Sequence, residues 1–341
     1  MKTFKFIDLF AGIGGFHLAL ESLGGECVFA SEIDEKARAT YQQNHGMNPN
    51  GDIRAITAPD RPDNVIQTQI PDHDILAAGF PCQPFSLAGV SARNALGQSH
   101  GLLDETQGTL FYDIARIVKI KQPKALLLEN VSNIVRHDGG KTFEVLKRVI
   151  SELGYELSWS ILNSETLVPQ RRRRCFMVAF RDADLGEQMT FPDLSGEPIP
   201  LRQALEQNVD EKYTLSDRGW AGHQRRTASN LARGTGFTAH AANLDKPSNT
   251  IVARYYKDGK ECLIPQKGKN PRFLTPRECA RLQGFPDTFT PHPTRSAAYK
   301  QFGNAVPVPV VKVVAEAMLS KLEEIDNRRF GQDQISSRAA L

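Results

Sequence analysis

The chain has 341 residues, 40% of them hydrophobic and 24% charged, with a formal net charge of +3. That length allows one large domain, or a large one with a smaller companion, and the balance excludes a disordered or collagenous chain. No apolar run approaches the roughly 20 residues needed to span a bilayer, and the five cysteines (Cys27, Cys82, Cys175, Cys262, Cys279) are scattered and never in C-x-x-C spacing, which argues against a disulfide framework or a zinc site.

In chain order, residues 4–10 read as a first strand that begins after only three residues. No signal peptide is therefore expected ahead of the fold, and a cytoplasmic protein is expected. Residues 27–31, 74–79, 125–129, 155–162 and 175–180 also read as strands, whereas 16–23, 35–45, 110–120 and 142–153 carry apolar residues three and four apart, as amphipathic helices do. Strands alternating with helices predict an α/β fold, a doubly wound and mostly parallel sheet. From 182 to 272 the alternation gives way to proline, glycine and polar residues, with short strand-like pieces such as 250–253, and a second, smaller, irregular domain is expected there. Regular structure resumes with a helix capped by Thr275 and opened by Pro276, then a longer one over 307–324. The expected organisation is a first domain over 1–181, a second over 182–272, a return to the first over 273–326, and a polar tail over 327–341 that frays.

Charge sharpens the reading of the middle segment. Residues 182–211 hold eight acidic side chains and one basic, Arg202; residues 212–272 hold twelve basic and four acidic. A solvated surface is the bland account of such a run. Interleaving with Trp220, Phe237, Tyr255, Tyr256 and several glycines suits a phosphate backbone better, so nucleic acid is the expected partner.

Chemistry-bearing residues fall at the ends of the strands. Phe10-Ala11-Gly12-Ile13-Gly14-Gly15 joins the first strand to the first helix, where glycines either let a ligand approach the backbone or simply permit tight packing. Glu32 closes the second strand about 20 residues on, the place for a carboxylate that accepts from both ribose hydroxyls. The pair favours an adenosine-containing cofactor, and without a full dinucleotide fingerprint S-adenosylmethionine fits better than NAD. Asp52 is either an acceptor for an adenine amino group or a turn aspartate. Pro81-Cys82 follows the apolar run 74–78, which sets a thiol at the carboxyl end of a strand as a candidate nucleophile. Glu129 ends three successive leucines, where desolvation raises a carboxyl pKa. In Gln170-Arg171-Arg172-Arg173-Arg174, Arg172 and Arg174 share a face in strand period, as part of a site or as a surface basic cluster.

These motifs, with Glu129-Asn130-Val131, the run from Arg277 to Pro286 and Gly303-Asn304-Ala305-Val306, resemble the DNA (cytosine-5) methyltransferase family in order and spacing, from Phe4 to about Ala317. Residues 86–91, 106–111 and 253–259 look most like bacterial Dcm-type enzymes. The resemblance implies a catalytic set of Cys82, Glu129, Arg172 and Arg174. It implies S-adenosylmethionine held by Phe10, Ala11, Gly12, Gly14, Gly15, Glu32, Ile33, Asp52, Ile53, Pro81, Leu110, Asn304 and Ala305. It also implies double-stranded DNA as partner, with Ser86, Gln170, Arg233, Thr250 and Arg254 at the duplex and Thr250 anchoring the recognition domain, although isoleucine rather than leucine follows that threonine.

The chemistry so implied is covalent. The Cys82 thiolate adds to carbon 6 of cytosine so that carbon 5 becomes nucleophilic; Glu129 binds the base edge and helps protonate N3; Arg174 contacts the base oxygen and Arg172 helps hold the nucleophile and its loop. The base must leave the duplex first, and the long aperiodic segment 83–107 is expected to close as a lid. A monomer is expected, either solitary or the modification partner of a restriction endonuclease, with no metal. A transfer-RNA cytosine-5 methyltransferase and a non-catalytic DNA-binding relative are the alternatives, the second disfavoured because Cys82, Glu129 and both arginines are present.

Overall fold

Strands buried on both faces have to be apolar on both, and this is how the sheet is built. The computed structural model describes residues 3–80, 110–181, 189–234 and 238–339, with side chains described through Arg328. The expectations at Pro81, Cys82 and Ser86, and for the lid, lie outside these residues. Six strands, β1 (Phe4–Leu9), β2 (Gly25–Ser31), β3 (Ile75–Gly79), β4 (Ala125–Val131), β5 (Tyr155–Asn163) and β6 (Arg173–Arg181), form one sheet in the order β2-β1-β3-β4-β6-β5. The pairings β1 with β2, β1 with β3 and β3 with β4 are parallel; β6 runs antiparallel to both β4 and β5. This is the expected α/β architecture. The order reverses between β1 and β3, and ligands of open α/β sheets bind at the carboxyl ends of strands beside such a point.

Successive residues alternate between the two faces. Ala77, Leu127, Phe176 and Val178 pack with helix α1 (Gly15–Glu21) through Phe16 and Leu20 and with Val310, Val311, Val314 and Met318 of the final helix. Leu76, Ala78, Leu126, Leu128 and Met177 pack on the other side with Ile114 and Ile117 of the helix Leu110–Lys121 and Leu146 and Val149 of the helix Lys141–Glu152. The first of these cores also takes in Leu201, Ala204, Ile251, Tyr255, Cys262 and Ile264. The middle segment thus shares its core with the sheet.

Three local expectations are corrected. Residues 250–253 form no strand; Ile251 is buried and its backbone N–H donates to Gln170 Oε1 at 2.8 Å. Asp217–Ala232 is a helix of 16 residues within the segment read as irregular. Only His223 of it is buried, so no apolar stripe betrays it in the sequence. The tail does not fray at 327, because the final helix runs Val308–Ala339 with no proline after Pro309 to interrupt it. Among the described residues no helix is long and apolar enough to cross a membrane.

Candidate active site

The ends of β1, β2, β3 and β4 surround a cavity of about 690 Å³, within the size range of small-molecule sites. Phe10, Gly12, Glu32, Ile33, Asp52, Ile53, Leu110, Glu129, Arg172, Arg174 and Asn304 all line it. The chain turns sharply out of β1, with Phe10 at φ 56°, Gly12 at φ 56° and Gly14 at φ 85°. A side chain at Gly12 would project into open space, so the backbone there is bare toward whatever enters the cavity.

Glu32 is oriented by its own backbone surroundings. Its Oε2 accepts from Gly12 N at 2.8 Å and its Oε1 from Asp34 N at 2.8 Å. The side chain of Asp34 caps helix α2 (Glu35–His45) by accepting from Lys36 N and Ala37 N. Beside it Ile33 is 63% exposed, an apolar side chain left at the cavity edge. Asp52 also faces the cavity, yet Arg54 Nη2 lies 2.6 Å from its Oδ2 and holds its carboxyl below the usual range, so the turn role read from the sequence is present. A bare glycine, a fixed carboxylate and an exposed apolar side chain on one wall suit an adenosine-containing ligand.

The opposite wall carries the acid and the guanidinium groups. Gly79, at the end of β3, pairs in register with Glu129 of β4, and Val131 pairs with Arg174 of β6. Arg174 Nε lies 3.1 Å from Glu129 Oε1, with both side chains largely buried. Burial raises the Glu129 carboxyl above its ordinary value, and Arg174 and then Arg172 oppose that shift. Arg172 is held differently. Its Nη1 donates to Ile251 O at 3.0 Å and its Nη2 to Gly303 O at 3.1 Å and Ala305 O at 2.8 Å, so the contacts it makes are with the middle segment and the 303–305 turn. Burial brings its pKa down to about 9, and among the described residues its buried Nε has no hydrogen-bond partner.

Several sequence-predicted residues stand elsewhere. Ala11 packs with Ala30 and Tyr41, Gly14 lies against His45, Gly15 against Val306, and Ala305 is buried with its carbonyl on Arg172, so none of the four lines the cavity. Gln170, expected at DNA, is fully buried; its Nε2 donates to Leu282 O at 2.8 Å while its Oε1 receives Ile251 N. A glutamine in a strand-edge motif looks like a surface donor in sequence, and only the fold reveals the two backbone groups waiting for it. Thr250 donates to Arg171 O at 2.5 Å, a contact that ties 250 to 171. Arg233 and Arg254 are exposed. Among the described cysteines, burial pushes Cys27, Cys175 and Cys262 up to about 12 and Cys279 well above the thiol range, the opposite of the shift that activates a thiol.

Other residues at the site escaped the sequence reading. Asn130, buried beside Glu129, donates from Nδ2 to Phe80 O at 2.7 Å and so fixes the last described residue before Pro81. Lys300 and Gln301, on the helix Arg295–Asn304, reach back to α2, Lys300 Nζ to Asp34 Oδ2 at 2.6 Å and Gln301 Nε2 to Lys36 O at 3.0 Å. For Asn130 its place after Glu129 was a usable signal; for Lys300 and Gln301 there was none, since the contacts span more than 260 residues.

Sheet order and the position of the cavity define a Rossmann-like α/β protein with a cavity at the switch point of its sheet. Residues 4–320 match the family described as C-5 cytosine-specific DNA methylase. The chain is 46% identical over 331 residues to the Type II methyltransferase M.NlaX of Neisseria lactamica, covering 96% of this chain and 99% of that one. It is 40% identical over 371 residues to the DNA-cytosine methyltransferase of Escherichia coli K12, covering 94% and 79%. Among solved structures, the Dnmt2 methyltransferase of S. pombe superposes with a TM-score of 0.69 at 20% identity, covering 95% of this chain and 99% of that one, a likeness of fold. The chain belongs to the C-5 cytosine-specific DNA methylase family, and it is a DNA cytosine-5 methyltransferase.

Proposed function

We propose that this enzyme methylates carbon 5 of a cytosine swung out of a short, specific duplex sequence, with S-adenosylmethionine as donor, as the modification enzyme of a restriction-modification pair. The likeness to Type II methyltransferases supports the biological setting. One observation carries the site assignment: the buried Glu129–Arg174 pair faces a cavity whose other wall is Gly12, Glu32 and Ile33, at the end of the strand that leads three residues later to Cys82.

S-adenosylmethionine, when bound, supplies an electrophilic methyl group. Glu32 would accept from its ribose hydroxyls, Ile33 and Ile53 would flank its adenine, and the bare backbone at Gly12 would admit the amino-acid portion. Cys82 adds to carbon 6 of the cytosine, which breaks aromaticity and makes carbon 5 the nucleophile. Glu129 holds a proton at N3 while charge develops there, helped by a carboxyl pKa that burial has raised. Arg174, fixed by Glu129, stabilises charge on the base oxygen. After methyl transfer, loss of the carbon 5 proton and departure of the thiolate restore the ring. Arg172 holds Ile251 and the 303–305 turn against this wall, and residues 182–272, with their basic stretch, act as the recognition domain; a cytoplasmic location at the DNA belongs to the same reading.

Expression in a host free of cytosine methylation, followed by bisulfite sequencing, tests the whole. A single short motif carrying 5-methylcytosine is the expected result. Duplex DNA containing 5-fluorocytosine at that position should become covalently linked to the wild-type enzyme in the presence of donor and not to Cys82→Ala. Methylation by the Cys82→Ala enzyme would remove the nucleophile assignment.

A further inference from the structure

The glycine turn that faces the cavity is supported from behind by a cluster of polar side chains with no part in the chemistry, His17 and Tyr41 buried and His45 half-buried. His17, on α1, and His45, the last residue of α2, stack at 4.2 Å between ring centroids. His17 Nδ1 lies 2.6 Å from the Tyr41 hydroxyl, and Tyr41 is fully buried. The His45 ring covers Gly14 so closely that a Cβ at that position would overlap it. His45 Nε2 lies 3.1 Å from the carbonyl oxygen of Ile13.

The hydrogen bonds of the turn can be followed group by group. Ala11 N donates to Ser31 O at 3.0 Å, Gly12 N to Glu32 Oε2 at 2.8 Å and Gly14 N to Ala11 O at 2.8 Å. The peptide between Ile13 and Gly14 is thus gripped at its N–H by Ala11, and at its carbonyl by a side chain from α2. With Gly12 and Gly14 both at positive φ, that peptide could rotate at little cost were it not held.

We infer that His45 is a positioning residue for the methyl-donor site, its Nε2–H fixing the Ile13 carbonyl and with it the Gly12–Gly14 turn in the form that receives the cofactor. This rests on the reading of that turn as part of the S-adenosylmethionine site. A carbonyl acceptor requires the proton on Nε2, and burial favours the neutral ring, down to about 4. The group acts on binding rather than on transfer, since it touches the turn and not the Glu129–Arg174 wall.

Calorimetric titration of S-adenosylhomocysteine into the full-length enzyme, wild type, His45→Phe and His45→Gln, separates the possibilities. His45→Phe keeps an aromatic ring over Gly14 and removes the donor; its dissociation constant should rise about tenfold, as expected for the loss of one half-buried hydrogen bond, with kcat at saturating donor within about threefold of wild type. His45→Gln restores an N–H at nearly the same reach and should recover most of the affinity. Equal affinity for wild type and His45→Phe would overturn the inference, as would equal weakening in both variants, which would make packing rather than the hydrogen bond the cause. If His45→Phe does not fold, the comparison of His45→Gln with His45→Leu decides on the same terms. Failure of the wild-type enzyme to bind at all would instead refute the cofactor reading on which the inference stands.

Discussion

Replacing Glu129 by glutamine separates the chemistry of the site from its architecture. The amide keeps the size of the side chain and an oxygen that can still accept from Arg174 Nε, now 3.1 Å from Glu129 Oε1. It cannot carry a proton to the base. A positioned acid or base contributes roughly 10²–10⁴ in rate, which is about 3–5 kcal/mol at 1.36 kcal/mol per decade, so kcat should fall by two to four orders of magnitude. Folding should suffer less. Complete removal of one partner of a buried pair costs about 3–5 kcal/mol, but with an acceptor retained the loss should be nearer that of weakening one charged hydrogen bond, about 1–3 kcal/mol. Cofactor affinity should stay within about twofold, because Glu129 stands on the wall opposite Gly12, Glu32 and Ile33. Three measurements on one variant therefore suffice: tritiated methyl incorporation into duplex DNA, urea denaturation, and titration with S-adenosylhomocysteine. A kcat within tenfold of wild type would refute the proton-holding role, and a parallel collapse of cofactor affinity would show that the two walls are not independent. The pH profile adds a further check. Burial raises the Glu129 carboxyl, so the wild-type rate should change with its ionisation above the usual carboxylate range, and that limb should vanish in the glutamine enzyme.

Other consequences follow from particular contacts. Ile33→Ser should weaken S-adenosylhomocysteine binding several-fold and leave the melting temperature unchanged, since the side chain is 63% exposed and contributes little to the core; a drop in stability without loss of affinity would contradict its place at the site. Gln170→Leu should destabilise the protein by about 2–3 kcal/mol in urea, leaving Ile251 N and Leu282 O unpaired, while the salt dependence of DNA binding stays as it was; a reduced salt slope would restore the DNA contact read from the sequence. His17 and His45 are both held down to about 4 by burial, whereas in the unfolded chain they take up protons near pH 6.5. Their contribution is complete above that pH and is lost as pH falls toward 4, so unfolding free energy should drop between pH 7 and pH 5 and drop less in a His17→Gln, His45→Gln double variant. Glu278→Ala should cost about 3–5 kcal/mol. Its fully buried carboxylate accepts from Arg272 Nη1 and Nη2 at 2.8 Å each and closes the capping box with Thr275, and equilibrium denaturation measures the loss.

What the sequence revealed and what it hid divide along a physical line. Strands with both faces covered are continuous apolar runs, and α2 begins at an aspartate cap and ends at a glycine, so local pattern found β1, β3, β4 and α2 within a residue or two. Glu32 and Glu129 were legible because an acid at the end of an apolar strand needs a reason. The helix Asp217–Ala232 was not, because it buries a single residue and its signals, the Ser216 cap and Asp217 in the first turn, are weak without an apolar stripe. The contacts of Gln170 and Arg172 were hidden for a different cause. Their partners are backbone groups of Ile251, Leu282, Gly303 and Ala305, brought together only by the tertiary fold, and no spacing rule within one segment contains that information.

The same fact bears on how the enzyme is assembled. Four elements meet at Arg172: the approach to β6, the segment around Ile251, and the two halves of the turn at Gly303 and Ala305. A fully buried guanidinium is costly to desolvate unless its hydrogen bonds are made, and here the acceptors are carbonyls from chain segments 79 to 133 residues away. The acid–arginine wall is therefore incomplete until the chain has passed through the basic middle segment and returned to the sheet. Displacement of Ile251 would loosen Arg172, and Arg172 shares the wall with Glu129 and Arg174. This route joins the segment proposed to read DNA with the residues proposed to hold the base, and it requires no contact between Arg172 and either one's ligand. Arg172→Met, if this coupling holds, should lower kcat and blur the methylated motif together, whereas Arg174→Met should lower kcat and leave the motif intact; bisulfite maps from the two variants distinguish the cases, and an unaltered motif in Arg172→Met would break the link.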